Sequence, residues 1–122
     1  MASVLIVEDD MALSRAVSDA LVSAGHEVRE ARDGIEAIRL TEERVDDIVI
    51  TDLFMPRRDG FELIKQLRHV APGICIIVMS GQMISGKADY LRMARSFGAK
   101  LTLRKPFRMA ELLSAVSACG AG

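Results

Sequence analysis

Val4-Leu5-Ile6-Val7-Glu8-Asp9-Asp10 sets four apolar residues directly against three acidic ones. Three more runs end in the same way: Ile48–Thr51 stops at Asp52, Ile74–Met79 at Ser80, and Lys100–Leu103 shortly before Lys105-Pro106. Short runs rich in Val and Ile read as parallel strands buried on both faces. In an open α/β sheet the ligand site lies just beyond the carboxyl ends of such strands, so the four endings are expected to converge. Three carboxylates, a hydroxyl and a lysine make a poor hydrolase triad. They make a good place to hold a divalent cation and a phosphoryl group.

A fifth run, Glu27–Ala31, completes the strands, and amphipathic segments fill the gaps. Leu13, Val17, Ala20 and Leu21 repeat at helical spacing, with Asp9 or Asp10 placed to cap the start and Gly25 to end it. Ile35 and Ile38 begin a second helix after Asp33-Gly34. Phe61, Ile64 and Leu67 follow Asp59-Gly60 in a third. Tyr90, Met93, Ala94 and Phe97 form a fourth ending at Gly98, and a fifth runs from Met109 to Cys119. Strict β-α alternation implies a parallel sheet with right-handed crossovers and helices on both faces. The expected architecture is an α/β three-layer αβα sandwich.

With 122 residues, residues 1–122 are expected to form one domain, with no linker, repeat or tract left to encode an effector. No apolar stretch reaches the roughly 20 residues of a membrane helix, and Met1-Ala2-Ser3 lacks a signal-peptide layout, so the expected location is the cytoplasm. Cys75 and Cys119 show neither a CxxC spacing nor a nearby His and are expected to be inert, reduced packing residues. The formal charge is −1, but from Met83 onward seven basic residues stand against two acidic ones. They are scattered and carry no interleaved stacking aromatics, so a solvated helix face is at least as good a reading as an anion-binding one, and no direct nucleic-acid contact is expected.

Taken together, Val4-Leu5-Ile6-Val7-Glu8-Asp9-Asp10, Ile50-Thr51-Asp52-Leu53-Phe54-Met55-Pro56 with Asp59-Gly60, Val78-Met79-Ser80-Gly81 and Gly98-Ala99 with Lys105-Pro106-Phe107 resemble the response-regulator receiver domain of two-component signalling. The resemblance covers essentially the whole chain, with four landmarks in order, each at a strand end. It implies a flavodoxin-like fold with strand order 2-1-3-4-5. It further implies Asp52 as acceptor of a phosphoryl group from a sensor histidine kinase or histidine phosphotransfer protein, and a downstream protein whose binding then changes. No enzymatic activity is implied beyond Mg-dependent self-phosphorylation and self-dephosphorylation at Asp52.

The chemistry of the residues agrees. An Asp is already ionised at neutral pH and can attack phosphorus without a base. Three anions about 4 Å apart repel by roughly 4 kcal/mol per pair at an effective dielectric of about 20, which calls for a cation among them. Mg²⁺ suits oxygen ligands, so Glu8, Asp9 and Asp52 are the expected carboxylates, Glu8 through water, and Asp10 the helix cap. The family adds the main-chain carbonyl of Phe54, a hydroxyl role for Ser80, a phosphate-pairing role for Lys105 and a cis Lys105-Pro106 peptide.

Departures from the family pattern are also present. Where an aromatic residue commonly sits in the fifth strand, three places before the lysine, this chain has Thr102. The stretch from Ser80 to Gly98 is a few residues longer than is common, and Gly81–Lys87 is expected to be a mobile loop carrying the response. Thr102 keeps open a second reading, a receiver-like binding module that works without phosphorylation. Enzymes fit worse: a haloacid-dehalogenase-type phosphatase needs a second Asp where Phe54 stands, and neither GxGxxG nor GxxxxGK[ST] occurs.

Overall fold

The computed structural model describes residues 1–53, 60–81 and 90–120. Ten elements alternate along the chain: β1 (Ser3–Val7), α1 (Met11–Ser23), β2 (Glu27–Ala31), α2 (Gly34–Glu43), β3 (Ile48–Asp52), α3 (Gly60–Val70), β4 (Cys75–Ser80), α4 (Tyr90–Phe97), β5 (Leu101–Arg104) and α5 (Met109–Gly120). All strand pairs are parallel, in the order β2-β1-β3-β4-β5. This is the flavodoxin-like order expected from the sequence. The chain steps from β1 outward to β2 and then returns to β3 on the other flank of β1, which opens a crevice at the carboxyl ends of β1 and β3.

Strand alternation divides the core into two layers. Leu5, Val7, Val49, Ile76 and Val78 face one way and pack with Ala37, Leu63, Ile64, Leu67 and Ala94 of α2, α3 and α4. Val4, Ile6, Ile48, Ile50, Ile77 and Met79 face the other and pack with Val17, Leu21, Leu112 and Val116 of α1 and α5. Central β3 is buried along its whole length, which is why its sequence is a continuous apolar run rather than an alternating one. Edge strand β2 is only partly buried and carries Glu27, Arg29 and Glu30. Its Arg29 reaches the buried Asp46 at 2.6 Å and the carbonyls of Leu40 and Arg44, fixing the end of α2 to the sheet.

Local chemistry sets the helix ends. Asp10 caps α1 by accepting from the Leu13 N–H at 3.2 Å, and Gly25 follows in the left-handed region with φ +94°. Asp33 caps α2 by accepting from the Glu36 N–H, and the Glu36 carboxylate in turn accepts from the Arg32 N–H at 2.8 Å. Gly98, with φ +129°, closes α4. Gly60, which opens α3, works differently from these two glycines. Its φ is not in the left-handed region; instead, a Cβ there would lie 2.6 Å from both the Asp52 carbonyl oxygen and Leu53 Cα.

One expectation is overturned. Cys75 and Cys119 are not separate thiols but are joined by a disulfide, with Cα atoms 6.0 Å apart. Cys75 opens β4 and Cys119 lies in the last turn of α5, which runs back along the sheet to the amino-terminal ends of the strands. Topology thus closes a separation of 44 residues that no sequence spacing signals.

The contact at Gly60 predicts that Gly60→Ala, which adds a methyl against two backbone atoms, destabilises the fold by about 1–3 kcal/mol. Urea denaturation of the two proteins measures it, and an unchanged midpoint would show that the β3–α3 junction can give way.

Candidate functional site

Register brings the polar endings together. Val7 pairs with Thr51, Asp52 with Met79, and Ser80 with Arg104, so Glu8, Asp52, Ser80 and Lys105 all stand at one end of the sheet. Asp52 and Ser80 are the last residues of their strands rather than the first beyond them, which holds both on rigid backbone. The Lys105 N–H donates to the Ser80 carbonyl at 3.0 Å, carrying the β4–β5 ladder one residue past the strands.

Lys105 is the hub. Its Nζ donates to Glu8 Oε1 at 2.7 Å and to Asp52 Oδ2 at 3.0 Å. The Glu8 side chain is 1% exposed, those of Asp52 and Lys105 12% and 23%. Glu8 Oε2 also accepts from the Asp10 N–H at 3.0 Å, so the N-cap of α1 and the lysine together hold one carboxylate. The Lys105-Pro106 peptide is cis, as the family resemblance implies.

Carboxylate oxygens of Glu8, Asp9 and Asp52 lie within 4.8 Å of one another, with Asp9 the exposed member. Among the described residues a single ammonium, that of Lys105, meets this group of carboxylates, and their all-oxygen donor set suits a hard divalent cation such as Mg²⁺. The residues present therefore fit that ion. Burial pushes the Glu8 carboxyl above its ordinary value, with Lys105 and the Asp10 N–H opposing and Asp52 adding to the rise. Burial works against the charged Lys105, but its hydrogen bonds to Glu8 and Asp52 outweigh it and the ammonium is held above its ordinary range.

Ser80 is buried at the end of β4. Thr102 is half-buried in β5 opposite Val78; Leu101 and Leu103 on either side pack in the layer of α1 and α5, so Thr102 points toward the layer of α4. Phe54 and nearly all of Gly81–Lys87 lie outside the described residues. Gly81 itself is described, and sequence reasoning gave it only a part in loop mobility. A Cβ there would sit 3.3 Å from Lys105 Cβ, so Gly81 also provides room beside the lysine stem. A glycine directly after a strand ending was the available signal of such close approach.

Residues 4–117 match the response regulator receiver domain family. The DNA-binding transcriptional regulator NtrC of Azospirillum brasilense is 36% identical over 115 residues, which cover 94% of this chain and 23% of that protein. The transcriptional regulatory protein PdtaR of Mycobacterium tuberculosis is 35% identical over 116 residues, covering 93% of this chain and 54% of that protein. Among solved structures, the chemotaxis response regulator CheY4 of Vibrio cholerae superposes with a TM-score of 0.86 at 31% identity, covering 98% of each chain. This chain spans roughly half or less of the length of the two curated relatives.

The charge pairing at Lys105 predicts a pH dependence. The folded chain holds the Lys105 proton more tightly than the unfolded chain, so this stabilisation is fully present below pH 10.5 and is lost as pH rises through the higher folded value. Glu8, also raised, contributes in the same sense from 4.5 upward: stability falls as pH rises through its folded value. In chelator, urea denaturation is expected to show an alkaline decline that flattens in Lys105→Met. Equal slopes in both proteins would remove Lys105 as its source.

Proposed function

This chain belongs to the response regulator receiver domain family, and we propose that it is a switch phosphorylated on Asp52. The observation that supports this most is the single Lys105 ammonium held by both Glu8 and Asp52, with Asp9 alongside. Asp52, as the carboxylate, attacks the phosphorus of a phosphohistidine on a sensor histidine kinase or histidine phosphotransfer protein. An oxygen–phosphorus bond forms as the phosphorus–nitrogen bond breaks, and the histidine leaves with its electron pair.

Each neighbour has a role in this reading. Lys105 exchanges its contact with Asp52 for one with a phosphoryl oxygen, a movement that a point charge on a flexible stem can follow. Ser80 donates its hydroxyl proton to another phosphoryl oxygen. Glu8, Asp9 and Asp52 would hold Mg²⁺, which would supply positive charge where the phosphoryl group brings negative charge. The new group adds about −1.5 to −2 charge, enough to bias two arrangements of the same fold and so alter binding of a downstream protein.

We place residues 1–122 as one receiver unit acting in the cytoplasm, where kinases of this kind present phosphohistidine, without direct contact to nucleic acid or membrane. Among the described residues no helix is long and apolar enough to cross a membrane.

Incubation with phosphoramidate and Mg²⁺, followed by intact-mass measurement, is expected to show one added phosphoryl group on the wild type and none on Asp52→Asn, which keeps the shape and removes the nucleophile. Labelling retained in the mutant would move the acceptor elsewhere. An unlabelled wild type would favour a binding module that works without phosphorylation.

Mg²⁺ at about ten times its dissociation constant is expected to stabilise the folded chain by about 1.4 kcal/mol. Asp9→Ala is expected to fold normally and lose most of that gain, since it removes a ligand and leaves the Lys105 contacts intact. Equal stabilisation of mutant and wild type in thermal melts would exclude Asp9 as a ligand.

A further inference from the structure

The Cys75–Cys119 disulfide lies at the end of the sheet opposite Lys105. Helix α5 starts four residues after Lys105 and, at 1.5 Å per residue, runs about 15 Å from Met109 to the crosslink at Cys119. Leu112 and Val116 are its fully buried anchors. Beyond Val116, Ser117 and Ala118 are exposed and Cys119 alone is half-buried among the residues whose side chains are described. Without the covalent bond, one small side chain is left to hold the last turn against the sheet.

The pair is also reachable. A cavity of about 460 Å³ is lined by both cysteines together with Met1, Asp47, Ile74 and Lys100. These are the chain's two cysteines. In the reducing cytoplasm, where the proposed function places the chain, a disulfide is usually transient and redox-sensing rather than a permanent crosslink.

We propose that Cys75 and Cys119 form a reversible thiol–disulfide switch, oxidised by a low-molecular-weight disulfide of the glutathione class, whose state sets the mobility of the last turn of α5. Its compartment argument rests on the cytoplasmic placement above. One protein thiolate attacks a sulfur of oxidised glutathione, giving a mixed disulfide and expelling one glutathione thiolate. The second protein thiolate then attacks the protein sulfur of that mixed disulfide, closing Cys75–Cys119 and expelling the other glutathione. Two protein thiols are oxidised and one glutathione disulfide is reduced to two thiols, which take up the two protons released.

The test equilibrates the full chain in buffers of graded reduced-to-oxidised glutathione ratio, quenches with N-ethylmaleimide and reads intact mass. An unalkylated monomer at oxidising ratios, giving way to a doubly alkylated monomer at reducing ones, is the expected result. Hydrogen exchange across Leu112–Cys119 is expected to be on the order of tenfold faster in the reduced form, because local opening of the last turn no longer requires breaking a covalent bond. Cys75→Ser is expected to retain a lasting glutathione adduct on Cys119, since no second thiol remains to resolve it. Double alkylation at every ratio, a disulfide that survives the most reducing one, crosslinked dimers, or equal exchange in the two forms would each overturn the proposal. Phosphoramidate labelling of the same samples reads Asp52 separately. Thiol titration as expected without labelling supports this proposal and removes the phosphorylation reading, whereas labelling with failed titration removes only this one.

Discussion

Like charges will not stay together under a protein surface unless something of opposite sign sits among them. In this chain that something is Lys105, whose ammonium lies 2.7 Å from Glu8 and 3.0 Å from Asp52. The lysine comes from the loop after β5 and the carboxylates from the ends of β1 and β3, so the contact exists only if β1, β3, β4 and β5 are in register. Closing charge over 97 residues of sequence, it couples the site to the topology. A buried ion pair of this kind is weak evidence for stability, because desolvation offsets much of the attraction. Its value is that the arrangement is poised: two carboxylates depend on one cation, and added charge of either sign shifts the balance.

The remainder of the fold keeps those strand ends rigid. β3 is buried on both faces, with Ile48 and Ile50 in one layer and Val49 in the other, so the carboxylate at its end cannot shift without disturbing both halves of the core. Gly60 seats the start of α3 against the Asp52–Leu53 backbone, and Gly81 gives the Lys105 stem its space. Both glycines serve close approach. The glycines that need a positive φ, Gly25 and Gly98 among the described residues, stand at helix ends away from the charge cluster.

Much of this could be read from the residues alone, for identifiable reasons. Val4–Val7 and Ile48–Thr51 announce buried strands because apolar β-branched runs have few other uses, and Asp10, Asp33 and Gly25 mark helix ends because capping is local chemistry. Strand ends were read one residue early at Asp52 and Ser80, since a polar side chain at the end of a ladder looks in sequence like the first residue of a loop. Convergence of Glu8, Asp9, Asp52 and Lys105 followed from the sheet rule, and pairing of Lys105 with Asp52 was expected, but the second lysine contact to Glu8 and the Asp10 N–H to Glu8 depend on side-chain placement that spacing does not encode. Arg29 with Asp46, and Cys75 with Cys119, were invisible for the same reason: each pair is distant along the chain and joined only by the way the helices return across the sheet.

An open five-stranded sheet has two unpaired margins, and the strand at one of them was described above for its anchoring arginine. β2 also places Glu27, Arg29 and Glu30 in a stretch of five residues. A second chain laying a strand along that margin would have to bring its backbone up to alternating charge and displace the water around it, a recognised safeguard against sheet extension. The polarity that made Glu27–Ala31 the least apolar of the five strands is thus what discourages this chain from polymerising with its own copies.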